Sequence, residues 1–260
     1  MAWVPSLFES VEINSDFAIM RYAILSDIHS NLVALQAVLA HLERRRVDRL
    51  ICLGDIVGYG PAPNECVQLI IDRAGLCMMG NHDWAVLEEE TLADFNAYAR
   101  HALLWTRKQL TASNKAFLKT LGMMHIEANA TFVHSTPHVP AAWDYILSKW
   151  EARQQFSFLQ TWLCFIGHSH VMGIFEQRQN KISYGKVNIL PLVEELRYII
   201  NVGAVGQPRD LDPRAAYGIW DSDKEQVELY RVEYDFAQTQ RAMQQANLPQ
   251  YLIDRLADGR

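Results

Sequence analysis

Cysteine is scarce in this 260-residue chain: there are four (Cys52, Cys66, Cys77 and Cys164) and no Cys-x-x-Cys pair. That excludes a disulfide scaffold. Three of the four sit inside apolar runs, so they read as reduced core thiols of a reducing, cytoplasmic compartment. No window approaches about eighteen consecutive apolar residues, so no membrane-spanning helix is expected. A basic excess is also missing. Lys and Arg total 24 against 30 Asp and Glu, a formal charge of −6, so no global field draws in nucleic acid. No Pro/Gly/Ser-rich spacer and no internal repeat divides the chain, which argues for one domain. Residues 1–17 carry Glu9, Glu12 and Asp16 but no Lys or Arg, unlike a secretory signal. Residues 1–19 are expected to be an extension, or to precede a true start at Met20.

What is present is an ordinary globular composition, 50% apolar and 21% charged, patterned as short apolar runs alternating with amphipathic segments. Met20–Ser26, Leu50–Leu53 and Leu76–Met79 read as strands. Leu32–Arg46, capped by Asn31, and Asn64–Arg73 read as helices. The arginines at 44–46 suit a helix C-terminus better than a nucleic-acid patch. Trp84–Leu121 is predicted helical, and Ala130–His134 and Leu163–Ile166 are further strands. After Gly167 the pattern becomes strand-rich: Val171–Gln177, Lys181–Leu190, Arg197–Val202, Ala215–Trp220 and Val227–Val232. A final helix is expected over Phe236–Leu256. One α/β domain with two sheets is the simplest account.

Five of these apolar runs are followed by metal-ligand residue types: Asp27-Ile-His29, Gly54-Asp55, Gly80-Asn81-His82-Asp83, His134, and Gly167-His168-Ser-His170. In α/β sheets, ligands collect beyond the carboxyl ends of strands. These ends can therefore project carboxylate, imidazole and amide groups into one crevice. Any one alone is weak, since Asp-x-His recurs by chance and Gly-Asn-His-Asp is as often a turn. Jointly they specify a site. A donor set without thiolate suits manganese, iron, cobalt or zinc better than calcium or a structural zinc. His41, His101, His125 and His138 lie outside these motifs and read as ordinary residues.

In this order the motifs resemble the calcineurin-like metallophosphoesterases, over roughly Met20–Tyr234. The narrower likeness is to small bacterial YfcE-like and diadenosine tetraphosphatase-related phosphoesterases. It is carried by Ser26-Asp-Ile-His-Ser-Asn31, by residues 58–64 (Gly-Tyr-Gly-Pro-Ala-Pro-Asn) and by residues 201–210 (Asn-Val-Gly-Ala-Val-Gly-Gln-Pro-Arg-Asp). The resemblance implies a four-layer α/β/β/α sandwich with two mixed β-sheets, an α/β (α+β) fold, in one domain over 20–260. It also implies two divalent ions, manganese first with iron, cobalt, nickel or zinc as alternatives. Asp27, His29 and His170 match ligands of the first metal and Asn81, His134 and His168 those of the second. Asp55 matches the bridge, and His82 the catalytic histidine near the leaving group. Two ions roughly 3.5–4 Å apart would acidify a bridging water and clamp the phosphoryl oxygens for in-line attack.

The chain departs from its relatives in places. Protein phosphatases of this superfamily carry Asp and Arg after the bridging Asp, where this chain has Val57-Gly58-Tyr59. The partner of the catalytic histidine and the phosphate-clamping Arg are therefore both missing, which counts against a protein phosphatase. Arg209 is the candidate replacement clamp, the alternative being a salt bridge to Asp210 or Asp212. Asn31, Tyr59 and Asn64 are candidate substrate contacts, and Trp143, Tyr145 and Trp150 a candidate aromatic cap. The expected function is hydrolysis of a phosphodiester or small phosphorylated metabolite, nucleotide-type substrates being favoured by the resemblance. A catalytically weak protein-binding scaffold and a nuclease are the alternatives. The complete ligand set opposes the first and the acidic balance the second.

Overall fold

The computed structural model describes residues 20–260, so the expected extension at 1–19 lies outside the described residues. Twelve strands form two six-stranded sheets. The first contains β1 (Arg21–Leu25), β2 (Arg49–Cys52) and β3 (Leu76–Cys77). The second begins with β4 (Met124–Glu127), β5 (Ala130–Val133), β6 (Leu163–Ile166), β7 (Gly173–Arg178) and β8 (Lys181–Gly185). The chain then alternates: β9 (Ile189–Pro191) returns to the first sheet and β10 (Arg197–Asn201) to the second. Finally β11 (Ala215–Asp221) and β12 (Gln226–Val232) complete the first. The strand orders are β3-β2-β1-β11-β12-β9 and β4-β5-β6-β10-β7-β8. Both sheets are mixed. β1 pairs parallel with β2 and antiparallel with β11, and β10 pairs parallel with β6 and antiparallel with β7.

Strand alternation builds the layers. Tyr22 and Ile24 of β1, with Trp220 of the same sheet, face the second sheet and its Phe132, Phe165 and Tyr198, whereas Ala23 and Leu25 face the helices. On that outer side lie α1 (Leu32–Leu42) and α2 (Pro63–Arg73). They are followed in the chain by α3 (Asn81–Ala85), α4 (Ala97–Gln109) and α5 (Ala112–Leu118). The second sheet buries Cys164, Ile166 and Ile199 against α6 (Lys149–Phe158). The expected four layers are therefore present. Two closing helices, α7 (Phe236–Gln245) and α8 (Gln250–Asp258), pack Met243, Leu252 and Leu256 with Tyr59 and Ala99. All four cysteines are free, three buried and Cys77 half-buried.

Several boundaries differ from expectation. The predicted strand over 181–190 is two strands in different sheets, β8 against β7 and β9 against β12. Its residues are largely exposed, so no buried face marked the crossover. The terminal helix breaks at Asn247, which has φ +55° and precedes Pro249. β4 was not expected; it is an edge strand with inverted alternation, its apolar Met124 and Ile126 facing outward and its His125 and Glu127 half-buried. Helix α6 was also unassigned, although Ser148 and Glu151 form its capping box. α1 stops at Leu42, and Arg46 turns at φ +51°.

Candidate metal centre and active site

The five motif ends meet at one end of the facing sheets. Asp27 and His29 leave β1 and Asp55 leaves β2, while Asn81 opens α3 after β3. His134 leaves β5, and His168 and His170 leave β6. Five of these residues hold left-handed backbone: Asp27 (φ +55°), His29 (+49°), Asp55 (+52°), His168 (+64°) and His170 (+59°). Each such non-glycine residue costs roughly 1–3 kcal/mol, which the surroundings must offset. Loop-to-loop bonds do so. Asp27 N–H donates to Gly54 O (3.0 Å), His29 N–H to Asp55 O (2.9 Å) and Gly206 N–H to Asp27 O (2.8 Å). Glycine is required where these loops touch: a Cβ on Gly80 would stand 2.1 Å from Asp55 Oδ1, and one on Gly167 1.9 Å from Ser26 Oγ.

The side chains form two buried groups that share Asp55: Asp27, His29, Asp55 and His170, then Asp55, His134 and His168. In the first, His29 Nε2 lies 3.5 Å from Asp55 Oδ2 and 3.7 Å from Asp27 Oδ1, and His170 Nε2 lies 3.1 Å from Asp27 Oδ1. In the second, His134 Nε2 lies 3.4 Å from Asp55 Oδ2 and 3.3 Å from Asn81 Oδ1. Backbone carbonyls set the ring orientations. His29 Nδ1 pairs with Val57 O (3.1 Å), His170 Nδ1 with Gln207 O (2.6 Å) and His168 Nε2 with Trp143 O (2.8 Å). A carbonyl only accepts, so those nitrogens carry the protons and the others carry lone pairs.

Two consequences test whether cations fit. The Nε2 lone pairs of His29 and His170 face one another at 3.1 Å, an arrangement that needs positive charge between them. Asp27 Oδ1 is fully buried with no hydrogen-bond donor. Both are met by a divalent ion held by nitrogen and oxygen donors. The field agrees. Burial would lower the His134 pKa, but the charge and hydrogen bond of Asp55, with Asp27 behind, push it up to about 9. Burial prevails at the others, driving His168 down to about 3 and lowering His29 and His170.

His82 is buried between Tyr59 and Phe95 and edge-on to His29. Burial takes its pKa down to about 4 against the pull of Asp55, so its ring is neutral at pH 7. Asp83 does not serve it. The Asp83 carboxylate accepts from the backbone N–H groups of Ile56 (3.3 Å), Val57 (3.1 Å) and Gly80 (3.1 Å), clasping the loop after β2 to that after β3. Sequence reasoning missed this clasp; the signal, an Asp one turn into a helix beside a ligand, reads equally as a surface residue.

A cavity of about 570 Å³ opens beside Asn81, His82 and His168, and Tyr59, Trp143, Tyr145 and Arg209 also line it. Arg209 makes neither expected salt bridge. Asp210 pairs with Arg231 and Asp212 with Arg214, while Arg209 donates to Tyr59 Oη (3.2 Å) and Gln207 Oε1 (3.0 Å). Other candidates are placed differently from expectation. Asn31 faces away from this cavity. Its amide donates to Gly206 O (2.8 Å) and Tyr234 Oη (3.2 Å), while its oxygen caps α1 at Ala34 N–H (3.2 Å) and accepts from Thr239 (2.9 Å). Asn64 bonds Gln109, Thr111 and Asn114 instead of lining the site, because α5 packs there. Trp150 is 67% exposed on α6 and is no part of the aromatic wall.

Comparison with known proteins gives the same picture. Residues 20–225 match the calcineurin-like phosphoesterase superfamily domain. An uncharacterized protein of Methanocaldococcus jannaschii is 41% identical over 244 residues, covering 92% of this chain and 98% of that one. The crystal structure of a metallophosphoesterase from Sphaerobacter thermophilus has a TM-score of 0.82 at 44% identity, over 94% of this chain and all (100%) of that one. A symmetrical bis(5′-nucleosyl)-tetraphosphatase of Aromatoleum aromaticum is 33% identical over 94 residues, 34% of this chain and 33% of its own. Fold, motif order and convergent ligand set thus agree with the match over 20–225: the chain belongs to the calcineurin-like phosphoesterase superfamily and is a hydrolase of phosphoester bonds.

Proposed function

We propose that this chain is a dinuclear-metal phosphoesterase acting on a phosphodiester or small phosphorylated metabolite, with nucleotide-type substrates favoured. The observation that carries the reading is the pair of buried ligand groups sharing Asp55. In this assignment Asp27, His29 and His170 hold one cation, Asn81, His134 and His168 hold the other, and Asp55 bridges. Manganese is the proposed ion, because the donors are oxygen and imidazole nitrogen without thiolate. When bound, the cations lower the pKa of a water for attack at phosphorus and neutralise the phosphoryl oxygens.

The chain's own residues do the rest. His82 enters as a neutral imidazole and donates its one N–H to the oxygen of the departing group. Arg209 supplies a charged donor beside the metal ligands, since its backbone N–H is bonded to His170 O at 3.1 Å. Tyr59, bonded to Arg209, aims the guanidinium. Trp143 and Tyr145 offer flat surfaces to a base, and the partial likeness to a nucleosyl-tetraphosphatase supports the same preference. The four free thiols support a reducing, cytoplasmic compartment, and no described helix is long and apolar enough to cross a membrane.

The test is hydrolysis of bis-p-nitrophenyl phosphate beside p-nitrophenyl phosphate, after chelation and re-addition of manganese. Manganese-dependent turnover is expected, with loss of several orders of magnitude in Asp55→Asn while the fold is retained. Near-wild-type activity of Asp55→Asn would remove the bridge assignment.

A further inference from the structure

Arg255 lies on α8, beyond residue 225 where the family match ends, and nothing in the reaction above uses it. Yet it lines the same cavity as Asn81, His82, His168 and Arg209. Arg209 stands on that wall without a carboxylate partner among the described residues. Arg209 bonds only the neutral Tyr59 and Gln207 through its side chain, and its buried Nε has no acceptor. Arg255 donates Nε–H to Arg260 O and lies 5.3 Å over the Tyr251 ring; its terminal nitrogens meet no protein acceptor among the described residues. The one carboxylate of the lining, Asp94, pairs with neither. Burial and then the charge of Arg209 lower the Arg255 pKa, so the two guanidinium groups feel each other. Two guanidinium groups lining one cavity, one of them without any counter-charge, form a site for an anion.

Their places along the wall differ. Arg209 is tied to His170 by its backbone N–H, at the metal end. Arg255 arrives from the closing helix, which packs on Tyr59 through Leu252 and Leu256. A phosphoryl group held at the metal ligands meets Arg209 first, and Arg255 faces whatever is attached beyond it. We propose that Arg255, with Arg209, forms a second anion subsite for a phosphate adjoining the scissile one, so that the preferred substrate carries at least two phosphoryl groups. This rests on the phosphoesterase reading and adds a determinant from outside the matched domain.

The test compares the p-nitrophenyl esters of adenosine 5′-monophosphate and adenosine 5′-diphosphate, which share nucleoside and leaving group and differ by one phosphate. In Arg255→Gln, KM for the diphosphate ester is expected to rise about tenfold more than KM for the monophosphate ester. Arg255→Lys should recover part of that selectivity, which a merely structural arginine on α8 would not predict. Equal changes for the two esters, or none, would overturn the subsite. A calorimetric titration needing no turnover separates this from failure of the hydrolase reading. Wild type should bind inorganic pyrophosphate more tightly than orthophosphate, and Arg255→Gln should lose the preference. If neither ester is hydrolysed but that preference holds, the reaction reading fails and the subsite stands. If pyrophosphate shows no preference, the subsite fails whatever the turnover.

Discussion

His82 and Asp83 are neighbours with opposite duties. Asp83 spends its carboxylate on three backbone N–H groups and, by clasping two loops, holds Asp55 and Asn81 in register. Burial first and the nearby Asp55 charge second raise its pKa to about 7, against those three bonds. His82 has no carboxylate to orient it, its Nδ1 is buried without a partner, and burial keeps it neutral. A neutral imidazole aids departure by donating one hydrogen bond where charge develops. His82→Ala is therefore expected to slow an alkyl phosphodiester by about 10²-fold or more. A p-nitrophenyl ester, whose leaving group needs little help, should suffer much less. Equal losses on both esters would show that His82 acts elsewhere than at the leaving oxygen.

At the scale of elements, the strand ends of the two sheets must be held at one distance for their loops to share a site. Arg49 of β2 and Glu127 of β4 tie the sheets together at 2.5 Å, with His125 and Tyr22 also bonded to the carboxylate. Burial alone would raise the Glu127 pKa, but the bonds from His125 and Arg49 outweigh it and hold it below the ordinary glutamate value. A depressed folded pKa means this stability is fully present above the unfolded pKa and is lost as pH falls through the folded one. Glu127→Gln should thus cost roughly 1 kcal/mol near pH 7, with the gap to wild type closing below about pH 4. Urea melts of both proteins at pH 7 and pH 3 read this directly, and a gap that persisted in acid would exclude the ion pair as its source. The segment at 181–191 shows the other side of element-scale order. It crosses from one sheet to the other mainly by backbone pairing, with Gly185 against Ile174 and Ile189 against Glu228, and only Ile182, Tyr184 and Leu190 add side-chain packing.

At the scale of the molecule, the candidate ligands are drawn from both sheets. Asp27, His29, Asp55 and Asn81 follow strands of the first, and His134, His168 and His170 follow strands of the second. A cation bound here fastens one sheet to the other and is present only in the folded state. Mass action then stabilises the fold by about 2.7 kcal/mol when free metal is a hundredfold above its Kd. Chelation is expected to lower the melting temperature of wild type and to leave Asp55→Asn nearly unmoved. An unchanged wild-type melt would mean that the ligand set holds no ion. The closing helices work at this scale as well, since Thr239 of α7 and Tyr234 before it lock Asn31, and α8 brings Arg255 to the cavity.

The local alphabet of the site was legible because metal chemistry needs particular donor atoms, and the glycines beside them are dictated by contacts as close as that of Gly80 with Asp55. The inner strands were legible for a related reason: burial on both faces writes a continuous apolar run, as in Ala23, Ile24 and Leu25. Asn31 was half legible, its cap visible in sequence while its bonds to Gly206, Tyr234 and Thr239 were not. Exposed edges such as β4, β8 and β9 carry no such constraint: β4 and β8 are set by hairpin pairing with their chain neighbours β5 and β7, and β9 by pairing with β12, far away in the chain. The same holds for what each polar group is bonded to. That Asp83 serves backbone amides, that Arg209 escapes Asp210 and Asp212, and that Arg255 joins it are outcomes of distance. The candidate donors and the layers can be read from residue order, whereas the partner that each charge meets follows from the folded arrangement, because electrostatic energy depends on separation in space and not along the chain.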